Sequence, residues 1–327
     1  MSIMEYPKVS IVVLNWNGAH YLQRTIASLA ELDYRNKEII VVDNGSNDES
    51  IVLLNKFSEV RVITNPKNFG YSRGKNTGVA QAAGEFVLLL DNDILVRDKA
   101  IIYKLLDYHR RLDSAGFICP VLIQSGSETT YFYKGPLGYS GVHRIKLIKN
   151  GILEKAGEQA YRTKFILGGN IFFKKEIWAL LRGYDEDFPF NMDDYDISVR
   201  AHLYGFKNYM MINQPLNLHL GKTVVAEKKQ LRWRYRYLLA GHLVSNLKNY
   251  RVVNFLIISF FALIRILLVT VKQAILSRDW SLLLTYPFSV CLFIARIPGT
   301  LRKRRIIQDH RVCSDYSLLS IKIKADI

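Results

Sequence analysis

Asp91-Asn92-Asp93 sets two carboxylates one residue apart directly after the apolar run Phe86-Val87-Leu88-Leu89-Leu90. Such a run, bounded by Gly84 and the acids, predicts a buried strand. Its end then lies at the rim of a sheet, where α/β proteins bind ligands. Hard cations that bind diphosphates take carboxylate oxygens and keep positions open for phosphate oxygens. Asp-x-Asp at a strand end suits that task, although two acids in a loop serve equally as solvated turn residues. A second acidic group, Asp193-Asp194-Tyr195-Asp196, opens a segment in which Ile197, Ala201 and Tyr204 recur at helical spacing. Acids at a helix start favour the dipole whatever else they do. If the site is partly buried, like charges would also raise the pKa of one of them and make it a usable base toward a hydroxyl. Asp196 and Arg200 are spaced to pair along the same helix.

Those acids need a frame. Lys8 to Leu14 predicts a strand, followed by Asn15-Trp16-Asn17-Gly18. Tyr21 to Leu32 carries Leu22, Ile26 and Leu29 at helical spacing. Glu38 to Val42 predicts a second strand ending in Asp43-Asn44-Gly45-Ser46, and Val60 to Ile63 a third that leads to Asn68 through Asn76. A helix through Ala83 precedes the Phe86 strand. This β-α-β-α-β-α-β pattern predicts a parallel sheet with helices on both faces and polar loops at the strand ends. The segment from Gly70 is not a P-loop, because three residues rather than four separate Gly70 from Gly74, and Asn76 follows Lys75. Phe117 to Ile123 predicts another strand. Phe165 to Phe173 predicts one interrupted by Gly168-Gly169, where a bulge or a close approach to backbone is expected. Gly126 to Gly157 shows no long periodicity. Pro215 to Leu218 is strand-like and precedes His219.

The 327 residues suit one large α/β domain, expected over 1–229, and an appendage over 230–327. From Gln230 onward there are 16 Lys and Arg against 4 Asp and Glu, so +12 of the net charge of +16 sits in the tail. The tail is also strongly apolar, which points to an anionic membrane surface and not to nucleic acid. Val252 to Val271 is long enough to span a bilayer, at roughly 20 residues. Arg265 near its middle would be costly there. Arg251, Asn254, Arg265 and Lys272 fall on one stripe, as do Ser281, Thr285, Ser289, Arg296 and Lys303 in Trp280 to Leu301, with Pro287 and Pro298 expected to break the helix. Two amphipathic helices lying in the headgroup region are therefore expected, with Arg302-Lys303-Arg304-Arg305 adding attraction to anionic lipid. A spanning hairpin with both ends cytoplasmic is the alternative; so is packing of the stripes on the rest of the protein. Cys119, Cys291 and Cys313 have no metal-ligand spacing and read as free thiols. The N-terminal Met-Ser-Ile-Met-Glu-Tyr-Pro does not read as a signal peptide.

Taken together, Val-Ser-Ile-Val-Val-Leu-Asn-Trp-Asn-Gly, Ile-Ile-Val-Val-Asp-Asn-Gly-Ser, Asp-Asn-Asp, and Asp193-Asp194-Tyr195-Asp196 with Arg200 resemble glycosyltransferase family 2 over roughly residues 8 to 220. The opening strand and its Asn-Trp-Asn-Gly loop resemble bacterial rhamnosyltransferases of surface-polysaccharide assembly. The resemblance implies a GT-A fold, a Rossmann-like, mostly parallel sheet with flanking helices. It also implies a nucleotide-diphosphate sugar donor and Mg2+ or Mn2+.

The same resemblance implies roles for residues. Asn15, Asp43, Arg73, Asn76, Asp91 and Asn92 would line the donor pocket, with Asp43 accepting from a nucleobase N–H; an Asx turn is its plainer reading. Arg73 would meet a phosphate or the base, unless it is only a solvated helix-start arginine. Asp93 and His219 would hold the metal. Of the acidic pair, Asp194 would be the base, and Asp193 stands where the family usually has Glu. Lys222 could meet the diphosphate, and the region around Gly126 to Gly157 could cover the acceptor. The expected enzyme is an inverting hexosyltransferase acting on a lipid-linked saccharide at the cytoplasmic face of the cell membrane, peripheral or monotopic. Alternatives are a polyprenyl-phosphate hexosyltransferase and a non-catalytic nucleotide-sugar binding protein.

Overall fold

The computed structural model describes residues 6–133, 145–155, 157–166, 168–188, 192–212, 214, 217–221 and 228–319. Lys222 and much of the segment between Gly126 and Gly157 lie outside the described residues. The first half alternates as its apolar runs predict: β1 (Val9–Asn15), α1 (Ala19–Ala30), β2 (Lys37–Asp43), α2 (Ser50–Leu54), β3 (Val60–Thr64), α3 (Tyr71–Gln81) and β4 (Phe86–Asp91). Next come β5 (Ile94–Leu95), α4 (Ile101–Arg111), β6 (Ala115–Pro120), β7 (Leu122–Gln124), β8 (Thr129–Tyr133), β9 (Ile145–Lys149), α5 (Asn150–Lys155) and β10 (Gln159–Thr163). They are followed by β11 (Asn170–Lys174), α6 (Lys175–Leu181), α7 (Asp193–Leu203), β12 (Lys207–Ile212) and β13 (Asn217–His219). Helices α8 (Lys228–Asn249), α9 (Val252–Ser277), α10 (Thr285–His310) and α11 (Asp315–Leu319) follow, with a 3-10 turn at Trp280–Leu284 ahead of α10.

The main sheet has the order β10-β12-β6-β11-β4-β1-β2-β3. Strands β4, β1, β2 and β3 are parallel neighbours, as are β12 and β6. Strand β11 is antiparallel to both β4 and β6. The sheet is thus mostly parallel, and the reversed β11 brings its leading residues, Gly168 to Asn170, to the carboxyl end of β4. Side chains alternate across the strands. Ile11, Val13, Ile39 and Val41 pack beneath α1 and α4 on one face. Val12, Leu14, Ile40 and Val42 pack beneath α3, α6 and α7 on the other.

The C-terminal helices are joined to this unit by a shared core. Phe165, Phe188, Met192, Tyr195 and Val199 pack with Val244, Tyr250, Ile258, Ile307 and Leu318. The division expected at residue 229 falls at the start of α8, and packing crosses it. Helix α9 turns Ile258, Ser259, Ala262, Ile266, Thr270 and Ala274 inward. It leaves Val253, Leu256, Phe260, Ile264 and Leu268 exposed. Both α9 and the segment Trp280–His310 are long and apolar enough to cross a membrane.

Three expectations for the tail are corrected. Helix α10 runs through Pro298 without breaking, because its turns on both sides of the proline are held along α8. Pro287 falls in the first turn, where a missing N–H costs nothing. The second polar stripe faces protein: Thr285 and Ser289 are buried, and Ser289 Oγ donates to Arg236 O at 2.6 Å. Of the first, Asn254 Nδ2 donates to Asp315 Oδ2 at 2.6 Å while Arg251 and Lys272 stay exposed. The Arg302–Arg305 run is divided, since Lys303 pairs with Asp185 and Asp187 and Arg304 donates to the carbonyls of Leu247 and Tyr250. Only Arg302 and Arg305 of the four are left fully at the surface.

Candidate active site

Strand register gathers the acids. Asn15 pairs with Asp43 across β1 and β2, and Leu14 pairs with Asp91 across β1 and β4. The carboxyl ends of the strands therefore put Asn15, Asp43 and Asp91 in one row. Asn15 Nδ2 donates to Asp43 Oδ1 at 2.9 Å, Ser46 N donates to Asp43 Oδ2 at 3.0 Å, and Asn92 Nδ2 donates to Asn15 Oδ1 at 2.7 Å. Asp43 is buried and held in the Asx-turn arrangement, with its carboxylate fixed in the row. Asn44, which sequence reasoning passed over, shapes the far wall. Its Nδ2 donates to Asn68 Oδ1 at 3.0 Å and to Gly70 O at 3.1 Å, and its Oδ1 accepts from Asn65 Nδ2 at 3.0 Å.

Beyond β4 the chain makes a second pairing. In the small sheet β5-β13-β7, His219 pairs with Ile94, which sets the imidazole beside Asp93. His219 Nε2 lies 3.1 Å from Asp93 Oδ2. Its Nδ1 is 2.9 Å from Gln124 Oε1, and Gln124 Nε2 donates to the carbonyls of His219 and Gly221. Gln124 Oε1 must then accept, so the Nδ1 carries a proton and Nε2 is the nitrogen turned to Asp93. The hydrogen bond to Asp93 raises the His219 pKa against the opposing effect of burial. A Cβ on Gly221 would stand 2.2 Å from Asp93 Oδ2, so a side chain there would push the Asp93 carboxylate out of its place.

These residues fit a hard divalent cation. Asp93 Oδ1 is buried without a hydrogen-bond partner, and an oxygen and an imidazole nitrogen face one another with the second nitrogen anchored. Among the described residues no group of three or more His, Cys, Asp or Glu closes around one point. Further positions would fall to phosphate oxygens and water, as such ions prefer.

The third group forms around Gly168-Gly169. Gly168 N donates to Asp194 Oδ2 at 2.9 Å, and Tyr184 Oη donates to Asp194 Oδ1 at 2.8 Å. A Cβ on Gly168 would stand 1.8 Å from Asp194 Oδ1, and one on Gly169 would stand 2.8 Å from Asp91 Oδ2. The glycine pair is needed for close approach, and what approaches is the protein's own carboxylates. Burial and its Asp194 neighbour push Asp193 up to about 8, and burial raises Asp194 as well, opposed by Lys75, Gly168 N–H and Tyr184. Burial also holds Tyr71 and Tyr184 well above their ordinary value, so both stay donors.

Lys75 was missed. Its place in the sequence marks it as one residue of a polar helix start, yet its side chain is fully buried at the centre of the site. Its Nζ lies 2.7 Å from Asp91 Oδ1 and donates to Gly168 O and to Tyr71 Oη. The available signal was its place one helical turn after Tyr71 in a segment already suspected of lining the pocket. Two residues expected to line the donor pocket make contacts of their own within the protein. Asn76 turns away: its Nδ2 donates to Tyr184 O at 2.9 Å and its Oδ1 accepts from Tyr184 N at 2.9 Å, so it braces the turn after α6. Arg73 stacks over Phe69, 4.3 Å from the ring centroid, with Glu186 at 4.0 Å. As expected, Asp196 and Arg200 pair along α7, at 2.8 Å.

The carboxyl ends of the strands thus gather a fixed acid, a carboxylate-imidazole pair suited to a cation, and an oriented carboxylate able to accept a proton. Residues 10–180, more than half of the chain, match the family model described as glycosyl transferase family 2. The chain is 23% identical over 232 residues to an uncharacterized glycosyltransferase of Haemophilus influenzae, covering 66% of this chain and 67% of that protein. It is 26% identical over 208 residues to the O-antigen biosynthesis protein RfbC of Myxococcus xanthus, covering 62% of this chain and 16% of the relative. Among solved structures, the mannosyltransferase PcManGT from Pyrobaculum calidifontis, in complex with GDP-Man and Mn2+, aligns with a TM-score of 0.53 at 16% identity, covering 90% of this chain and 88% of its own. At that identity the likeness speaks for the fold, and the fold is GT-A. Family match and fold agree, and the chain belongs to glycosyltransferase family 2.

Proposed function

We propose that this glycosyltransferase works with inversion, moving a sugar from a nucleotide-diphosphate sugar to a hydroxyl of a lipid-linked saccharide in cell-surface polysaccharide synthesis. The observation that carries the reading is the separation of tasks at the carboxyl ends of the strands: Asp194 oriented by two donors, and Asp93 with His219 set apart beyond β4. The Asn-Trp-Asn-Gly loop and the likeness to an O-antigen biosynthesis protein make dTDP-rhamnose the first donor to test.

The nucleotide would lie along β1 and β2, its base N–H donating to Asp43. Asp91, neutralised by Lys75, would meet ribose or sugar hydroxyls. Mg2+ or Mn2+ held by Asp93 and His219 would stabilise charge on the departing diphosphate. Asp194 would take the proton of the acceptor hydroxyl as its oxygen attacks the anomeric carbon from the side opposite the diphosphate. The C–O bond to the diphosphate breaks as the new one forms, and the anomeric configuration inverts. Tyr184 Oη and Gly168 N–H would hold the carboxylate in line and keep it ionised enough to act.

The exposed apolar side of α9 supports a peripheral or monotopic place on the membrane, at the cytoplasmic face where nucleotide sugars are found. Helix α8 favours lying in the plane over crossing. Arg232 Nε lies 3.2 Å from Asp279 Oδ2, and the Arg236 guanidinium lies 5.4 Å from the centre of the Phe288 ring. The arginine-rich start of α8 is therefore level with the link between α9 and α10, and a spanning hairpin would carry those charges across the bilayer with it.

The test is a screen for nucleoside diphosphate release from UDP-, GDP- and dTDP-sugars with lipid-linked saccharide acceptors, followed by mass spectrometry of the product. Release with a saccharide acceptor is the expected result. Binding without release for every donor would favour the non-catalytic reading, and release only with a polyprenyl phosphate would move the acceptor to that class.

A further inference from the structure

The Tyr184–Asp194 hydrogen bond joins two short pieces of chain, the turn after α6 and the start of α7. Both pieces are tied to one buried network of charge. Asp196, two residues beyond Asp194, is fully buried. Its Oδ2 accepts from Arg200 Nε at 2.8 Å, and Arg200 Nη2 donates to Gly183 O at 2.9 Å. Its Oδ1 lies 2.9 Å from Lys248 Nζ and accepts from Asn249 Nδ2 at 2.8 Å. Lys248 Nζ also pairs with Asp185, the residue after Tyr184, and sits over the Phe188 ring. Burial alone would raise the Asp185 pKa, but the ammoniums of Lys248 and Lys303 outweigh it and hold the carboxyl well below the usual range. Lys248 and Asn249 belong to α8, and Lys303 to α10.

We propose that Lys248 is a positioning residue for catalysis: by bridging Asp185 and Asp196 it holds Tyr184 against Asp194, so that the C-terminal helices complete the active site as well as placing it. Arg200 makes the same tie from within the catalytic unit, at Gly183. Lys248 makes it from outside, with a side chain 1% exposed. A buried ammonium between two carboxylates is rigid, because loss of either partner leaves an uncompensated charge. The donor residues Asp43, Asp91 and Asp93 do not touch this network, so the tie acts on the acceptor side. The inference rests on Asp194 being the base.

The test uses the full chain, with the donor and acceptor chosen by the release screen. Lys248→Met should lower kcat at least about tenfold while donor KM changes less than about twofold. Lys248→Arg, which keeps the charge, should recover most of the loss. Tyr184→Phe should give a similar loss, and the double variant should lose little more than either single, as expected of residues acting through one contact. The acid limb of the kcat profile should move upward in Lys248→Met, because Asp194 loses a donor that favours its ionised form. Asp91, Lys75, Tyr71 and Tyr184 face Asp194 from neighbouring elements and Asp193 from its own helix; the single substitution removes none of these groups and alters only how Tyr184 is held. If Lys248→Met fails to fold, Asn249→Ala, which removes a neutral donor to Asp196 and its bond to Ser245 within the same helix, should give a smaller fall in kcat with the same limb shift. Unchanged kcat and limb in the folded variants, or strict additivity with Tyr184→Phe, would overturn the proposal. Asp194→Asn is the separate control. If it turns over normally, the assignment of the base has failed. If it is inactive while the Lys248 and Asn249 variants are normal, only the positioning role has failed.

Discussion

Asp93 and Asp194 do different jobs and should fail differently. Asp93→Ala should abolish transfer and the part of donor affinity that depends on Mg2+ or Mn2+ while leaving the fold intact, read by nucleotide binding with and without EDTA. Full turnover in excess EDTA would contradict the cation's role. Asp194→Asn should cut kcat at least about a hundredfold at similar donor affinity, within the usual scale of general-base catalysis. If Asp193→Asn gives the larger loss and Asp194→Asn is near normal, the wrong acid of the pair has been chosen. The pair also links pH to stability. Burial raises both pKa values, Asp193 to about 8, against an unfolded value of about 4. The folded protein therefore holds extra protons across that window, and stability from the pair falls as pH rises through it. Asp193→Asn should accordingly raise Tm at pH 8 more than at pH 5, measured by thermal melts at matched ionic strength. The acids were legible because type and spacing announce them. Lys75, Tyr184 and Gln124 were not, since each becomes functional only through a contact made across the fold: Lys75 to Gly168, Tyr184 to Asp194, Gln124 to His219.

At the scale of elements, the early strands could be read directly because each is an apolar run closed by polar residues, and β1, β2, β3 and β4 lie where those runs predict. Parallel direction followed from the helices between them. The reversed β11 left no local trace, because direction is decided by which strands flank it and not by its own side chains. The proline at 298 misled for a related reason: its local cost is real, but packing along α8 outweighs it. The Gly168-Gly169 pair was recognisable as a close approach, while its partners were not. Gly168→Ala should place a methyl against the Asp194 carboxylate and the Tyr184 hydroxyl. A fall in kcat of at least about tenfold is expected, on the scale of a small misplacement of a catalytic group. A steady-state assay with donor KM measured in parallel checks it, and normal turnover would show that the carboxylate has room to move.

At the scale of the molecule, catalytic unit and tail form one packed body. Phe188, Met192 and Tyr195 share a core with Val244, Ile258 and Ile307, and charge pairs cross the same seam. The tail's apolar composition announced a membrane; the polar stripe of α10 is a side that packs on protein, and α9 leaves much of its apolar surface outward. In-plane seating predicts that cysteines placed at Ser277 and Asp279 resist an impermeant external reagent in intact cells; labelling there would mean the helices span. The measurement that bears most directly on the central claim is the anomeric configuration of the product, determined by NMR on the saccharide formed from a donor of known configuration. The account predicts a new linkage of opposite configuration to the donor, formed with release of nucleoside diphosphate and lost in Asp194→Asn. A product of retained configuration would contradict it.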